Sequence, residues 1–232
     1  MESVFIAIAI LCMGAVVVRA SNSSVPSTED GNASSSGRRD MGAIFGLPSL
    51  TKPHVKEISL VLVRLHDYDD LVSRVDLETL FRLEDAFYSQ LIKVAEAWQG
   101  EVDRFDGQSV LLAFGRILEV EDHREHAREA ARALLRSLPD ALCAVTCRNF
   151  APAATVVVTA GTVIIGPVGV DYRKVFTVFG PVVNEAYRWS LRSLPGTIVV
   201  GANRGFEGLE EWGDIEEQDE VTIVTPRHRE DR

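Results

Sequence analysis

Cysteine is scarce in this chain: Cys12, Cys143 and Cys147 are all there is in 232 residues. Three thiols build no disulfide framework, and their spacing matches no metal-ligand motif. Positive charge is also in deficit. Twenty-four Lys and Arg stand against 34 Asp and Glu, a formal net charge of -10. That balance argues against a nucleic-acid backbone as the main partner. No internal repeat is present. His123 and His126, in EDHREHAREAAR, have no ligand partner in the pattern and read as part of a solvated helix face. Cys143 and Cys147 read as small apolar residues near a helix end. A disulfide between them requires an oxidising compartment. What remains is 46% hydrophobic and 25% charged, an ordinary balance for a soluble globular domain with room for an extension.

The extension is at the N-terminus. Val4 to Val18 is an almost unbroken apolar run. It is shorter than the ~20 residues of a usual membrane span, and as a signal peptide it lacks a positive start, since Glu2 is the early charge. Arg19, Arg38, Arg39 and Lys52 follow it, which favours a cytosolic downstream side. Residues 1–20 are therefore expected to be a membrane anchor or a signal, with the domain facing the cytosol; the alternatives are the secretory route or a soluble protein. The sequons at Asn22 and Asn32 matter only on the lumenal side. Residues 21–54, rich in Ser, Asn, Gly and Asp, read as a flexible linker. Residues 55–232 form the folded domain, ending in an acidic tail.

Within that domain Ile58–Leu65 (ISLVLVRL) is apolar on both faces, so it belongs in the middle of a sheet. A long helix follows, capped by Asp76, carrying Leu80, Leu83, Phe87, Leu91, Val94 and Trp98 at helical spacing and ended by Gly100. Val102–Arg104 and Val110–Phe114 pair as a hairpin around Gly107. Asp122–Leu138 is a second helix with Pro139 as its stop. Thr155–Ala160 and Thr162–Ile165 are two strands meeting at Gly161. Val175–Val178 is a short strand, and Pro181 opens a third helix that runs to Leu194. Ile198–Val200 and Val221–Val224 close the order, and the acidic run Glu207–Glu220 reads as a solvated edge or tail. Trp98 and Trp189 read as core or interface residues. Helices alternating with a mostly antiparallel sheet predict an α+β fold of ferredoxin-like type.

Three stretches then line up with one family. RFDGQSVLLAFG resembles the K-F-x-G-D-A-V-x-A-x-F-G signature of class III nucleotidyl cyclases. TVVVTAGTVIIGPVG resembles their V-x-x-G-x-x-x-G-x-V-x-x-G-x-x-G segment, and KVFTVFGPVVNEAYRW their Y-T-V-x-G-D-x-V-N-x-A-A-R-L. The resemblance runs from about Glu57 to about Gly201. It implies the ferredoxin-like palm of a cyclase catalytic domain and a head-to-tail dimer with clefts shared between chains. It also implies ATP or GTP as ligand and two divalent metals held by two Asp residues. The chemistry would be attack of a 3′-hydroxyl on the α-phosphate, with metals and Arg neutralising the growing charge.

Matched position by position, Asn184 and Arg188 correspond to the transition-state pair, and their spacing puts them on one helix face. Thr177 corresponds to a base-reading Thr. Arg104 stands where cyclases have Lys for adenine or Glu for guanine, and Pro181 replaces an Asp or Asn. The metal-ligand positions hold Arg64 and Gln108. A neutral carbonyl is a weak Mg²⁺ ligand and a guanidinium repels the cation. One misplaced charge ~4 Å away is worth ~4 kcal/mol at an effective dielectric of ~20, or about three decades in rate. Arg64 is expected to pair with Asp67, Asp103 or Asp106. Asp106 is a secondary candidate as a displaced metal ligand. The expectation is a degenerate cyclase homology domain, silent as a homodimer and acting as a dimerising, regulatory or structural module that keeps nucleotide binding through Arg104, Thr177, Asn184 and Arg188. No metal cofactor is expected unless a partner chain brings carboxylates for Mg²⁺ or Mn²⁺. The alternative is half of a heterodimeric cyclase, this chain supplying Asn184 and Arg188. A third option is an assembly subunit that shares only the palm fold.

Overall fold

The computed structural model describes residues 52–117, 120–146, 152–170, 173–201, 205–218 and 220–226. The apolar N-terminal segment, the linker up to residue 51 and Cys147 lie outside these residues, and with them the anchor, the sequons and the Cys143–Cys147 pair. Among the described residues no helix is long and apolar enough to cross a membrane.

The architecture is α+β. Its strands are β1 (His54–Leu65), β2 (Gly100–Phe105), β3 (Ser109–Phe114), β4 (Ala154–Val170), β5 (Arg173–Phe179), β6 (Ile198–Gly201), β7 (Gly213–Gln218) and β8 (Val221–Pro226). The helices are α1 (Tyr68–Arg74), α2 (Leu77–Ala97), α3 (His123–Val145) and α4 (Pro181–Arg192). The sheet order is β2-β3-β1-β4-β6-β8-β7, with β5 folded back on β4. The β4–β6 pair is parallel and the others are antiparallel.

The double-faced apolar pattern of β1 does what it predicts. Val61, Val63 and Leu65 enter a core built with Leu83, Phe87 and Leu91 of α2 and with Ala130, Leu134 and Leu138 of α3. Ile58, Leu60 and Leu62 enter a second core with Val182, Ala186 and Trp189 of α4. Each large side chain fully removed from water contributes about 1.5–3 kcal/mol. α4 is thus bound to the sheet face opposite α2 and α3, and this face carries the motif residues.

The long helix capped by Asp76 forms as expected, Asp76 accepting from the Thr79 amide at 2.9 Å, and a short helix α1 that the sequence did not show precedes it, ending where Val75 is extended. Three local expectations change. Gly100 does not cap α2. Gln99 takes the left-handed turn at φ 55°, and Gly100 is small because a Cβ there would lie 2.5 Å from the Phe114 ring. Pro139 does not stop α3. It sits inside the helix with its ring exposed. The lost hydrogen bond and ring clash cost about 3 kcal/mol, offset by burial of Leu138 and Leu142 on either side. The segments flanking Gly161 are one 17-residue strand, β4, and Gly161 pairs with Ile58 in its middle. The acidic run contains an exposed outer strand, β7.

Candidate functional site

The hairpin places its polar residues through an irregularity. In the β2–β3 register Val102 faces Leu112 and Arg104 faces Leu111, so Asp103 is the extra residue of a bulge. A bulge puts two consecutive side chains on nearly the same face and re-aims them. Here these are Asp103 and Arg104, directed at β5.

There they meet Thr177. The Arg104 Nη2 donates to Thr177 Oγ1 at 2.8 Å and to the Val178 carbonyl at 2.8 Å, while Nε donates to Asp103 Oδ2 at 2.8 Å. Thr177 donates its own proton to Asp103 Oδ2 at 2.8 Å. The Phe179 ring centroid lies 5.8 Å from the guanidinium carbon. Behind this set Arg116 is buried. It donates to Glu101 Oε2 at 2.8 Å and to Asp103 Oδ1 at 2.7 Å, over the Phe176 ring. The Ile117 amide donates to the other Glu101 oxygen at 3.0 Å. Two carboxylates and two guanidiniums thereby balance in a nearly dry site, which is the condition for burying charge at all.

Sequence reasoning identified Arg104 and Thr177, gave Asp103 only as a possible partner of Arg64, and missed Glu101 and Arg116. A signal existed: Glu101 and Asp103 alternate with Gly100 and Val102 in a short strand, so they share a face and require a cation between them.

Asp106 at the hairpin tip is already committed. It accepts from Ser109 and from the Tyr187 hydroxyl, the latter at 3.1 Å. Burial, with Asp106 adding to it, pushes the Tyr187 hydroxyl up to about 12. Tyr187 stands where the cyclase pattern has Ala, so a bulky phenol ties α4 to the hairpin.

The two positions that the resemblance marks for metal ligands, Arg64 and Gln108, are adjacent. Arg64 at the end of β1 pairs in register with Ser109, and the Leu65 amide donates to the Gln108 carbonyl at 2.8 Å. The expected ion pair of Arg64 is not formed. Among the described residues it reaches none of Asp67, Asp103 and Asp106, because Asp103 is saturated by two arginines and Asp106 by two hydroxyls. Its electrostatic neighbour is His66. Burial, then Arg64, hold the His66 imidazole below its ordinary range, against a smaller opposing effect of Asp67. Thr155 gives its proton to the Leu194 carbonyl at 2.8 Å, so His66 Nε2 is the donor in its 2.5 Å bond to Thr155. A divalent metal does not fit this donor set of a guanidinium, a neutral amide and a carboxylate already bonded twice. No group of three or more His, Cys, Asp or Glu suited to a metal stands among the described residues.

Asn184 and Arg188 lie one turn apart on α4, both exposed. Arg188 donates to Glu220 at 2.8 Å, a surface pair worth about 0–1 kcal/mol and easily released. The β4–β5 hairpin presents an apolar stripe. Ile164 opposes Phe179 and Val168 opposes Val175, all four exposed, with Thr177 buried between them. The two histidines are not simply solvated: His123 Nδ1 meets the buried Ser59 hydroxyl at 2.8 Å, and His126 Nδ1 meets the Trp98 carbonyl at 2.8 Å. Trp189 is core, as expected.

No protein-family model matches the chain. It is 28% identical over 149 residues to an uncharacterized protein of Mycobacterium tuberculosis, covering 63% of this chain and 26% of that one. It thus spans about a quarter of the length of the curated relatives it matches. Among solved structures it is similar to the adenylyl cyclase CyaB from P. aeruginosa, with a TM-score of 0.65 at 18% identity over 76% of this chain and 98% of that one. It is also similar to the non-canonical dimeric guanylyl cyclase domain of the RhoGC fusion protein from the aquatic fungus Blastocladiella emersonii. That match has a TM-score of 0.61 at 15% identity over 76% and 99% of the two chains.

Proposed function

We propose that this chain, which carries the fold of class III nucleotidyl cyclase catalytic domains, is a catalytically silent module that pairs with a second domain of the same fold. One observation carries the reading. The two adjacent positions that would seat divalent cations hold Arg64 and Gln108, so both clefts of a self-pair lack metal ligands. The exposed Ile164–Phe179 and Val168–Val175 pairs supply an apolar surface for association. The fungal relative in fold, described as dimeric, is consistent with it.

A second reading has its own support. Asn184 and Arg188 remain exposed and poised on one face of α4. A partner bringing two carboxylates would complete one cleft with them. One experiment separates the two. The chain is assayed for cyclic-nucleotide formation from ATP and GTP with Mn²⁺, alone and mixed with a cyclase domain that keeps both metal-binding Asp residues but lacks its own Asn and Arg. The silent reading expects no product in either case and a dimer in sedimentation velocity. Product from the chain alone overturns it, and product only in the mixture establishes the half-site.

A further inference from the structure

We propose that residues 42–50 of this chain are the resident occupant of the exposed apolar stripe on the β4–β5 hairpin, so that pairing through this surface requires their displacement. The inference rests on the reading above in one respect, that the stripe is where a second domain of the same fold attaches.

The stripe is wider than the hairpin. Val55 of β1 is paired in register with Ile164, and Ile164 with Phe179. Directly paired residues of neighbouring strands share a sheet face, so these three side chains form one line across β1, β4 and β5. Val168 and Val175, four residues further along β4 and β5, extend it on the same face. All five are 44–69% exposed. Strand spacing and rise make the patch about 10 Å wide and about 13 Å long. A contiguous apolar surface of this kind marks a place that something covers.

The chain itself delivers a cover. Pro53, immediately before β1, already lies on this face. A Cβ on Gly166, midway between Ile164 and Val168, would stand 2.9 Å from the Pro53 Cα and 3.1 Å from its Cβ. The absence of a side chain at Gly166 makes room for the chain arriving at the domain. The residues before Pro53 therefore depart from the middle of the stripe rather than from a remote edge. Their composition fits. Residues 21–40 are the polar part of the linker, whereas residues 41–51 (MGAIFGLPSLT) hold no charge and bring Ile44, Phe45, Leu47 and Leu50. The nine residues 42–50, fully extended, reach ~30 Å, about twice the length of the patch. A tether this short gives an effective concentration in the millimolar range, so the segment outcompetes a second copy at micromolar concentration. A second domain then binds only the open fraction of molecules, and its apparent affinity falls by that fraction.

The experiment compares the full chain with a full-length variant carrying Ile44→Ser, Phe45→Ser and Leu47→Ser, changes that leave every core residue named above in place. Hydroxyl-radical footprinting of dilute, monomeric protein reads the accessibility of the stripe, and sedimentation velocity reads self-association. Ile164, Val168, Val175 and Phe179 are expected to oxidise several-fold faster in the variant, and a synthetic peptide of residues 38–52 should slow them again. The variant should also self-associate ~10-fold more tightly, the effect of a segment that is closed about nine-tenths of the time. From the opposite side, Val168→Asn with Val175→Asn should speed oxidation of Phe45 and Leu47. Equal oxidation of the stripe in the two dilute proteins overturns the proposal. So does protection of the native stripe that appears only as its concentration rises, because the occupant is then a second copy. The two readings fail separately. A stripe protected in the native chain alone, with no self-association by either form, keeps the resident segment and sinks the pairing. Equal oxidation with equal dimerisation does the reverse.

Discussion

Arg104 and Arg64 stand two strands apart in one sheet, with β3 between β2 and β1, and the chain treats them in opposite ways. Arg104 is held by a carboxylate, a hydroxyl and a carbonyl, and is linked through Asp103 to buried Arg116. Arg64 has no ion pair among the described residues, with His66 as its electrostatic neighbour. The difference lies in what each has to lose. Arg104 is tied into its surroundings at three acceptors. Arg64 has no side-chain hydrogen bond or ion pair to lose among the described residues.

The sharpest way to break this comparison is Arg116→Met. It leaves Glu101 and Asp103 buried with one cation between them. Loss of one partner from a buried pair costs about 3–5 kcal/mol, so the urea midpoint should fall steeply. A loss below ~1 kcal/mol would mean that the network does not hold the hairpin.

A middle-sized effect is expected with pH. Burial is the largest cause lowering both His66 and His123, helped by Arg64 in one case and Arg124 in the other. The unfolded chain therefore binds more protons than the folded one below the ordinary His value, and stability falls as pH drops through about 6.5. The loss levels off below the depressed folded values. Urea unfolding between pH 7.5 and 5 should show the slope, and a His66→Gln, His123→Gln double variant should flatten it. A wild-type curve already flat there would contradict the burial argument.

The smallest effect belongs to Arg64→Ala. With no partner among the described residues to lose, stability should move within about 0.5 kcal/mol. The His66 imidazole should still shift upward in an NMR titration, because a neighbouring positive charge is gone. A destabilisation comparable to that of Arg116→Met would erase the contrast between the two sites.

Much of this was legible in the sequence, for physical reasons. A strand buried on both faces, a helix with a clean apolar stripe and a hairpin around a glycine announce themselves through side-chain period, and β1, α2, β2–β3 and α4 did so. The continuity of β4 was hidden because Gly161 and Gly166 look like turns. Gly166 is instead required by Pro53, whose Cα would lie 2.9 Å from a Cβ there. β7 was hidden because its side chains are almost all exposed, which leaves no alternation to read. The motifs single out Arg64, Gln108, Arg104, Thr177, Asn184 and Arg188 by position, and of these the structure brings Arg104 and Thr177 into contact. The partners of these two were not legible, because the contacts depend on one extra residue in β2, and a bulge has no signature in composition.

The outer strand β7 has one further consequence. Its backbone edge is the kind of surface on which sheets stack end to end, yet Asp214, Glu216 and Glu217 line it. Mutual repulsion among approaching copies keeps that rim from templating fibres. Concentrated salt, by shortening the reach of those charges, would weaken the chain's protection against open-ended polymerisation.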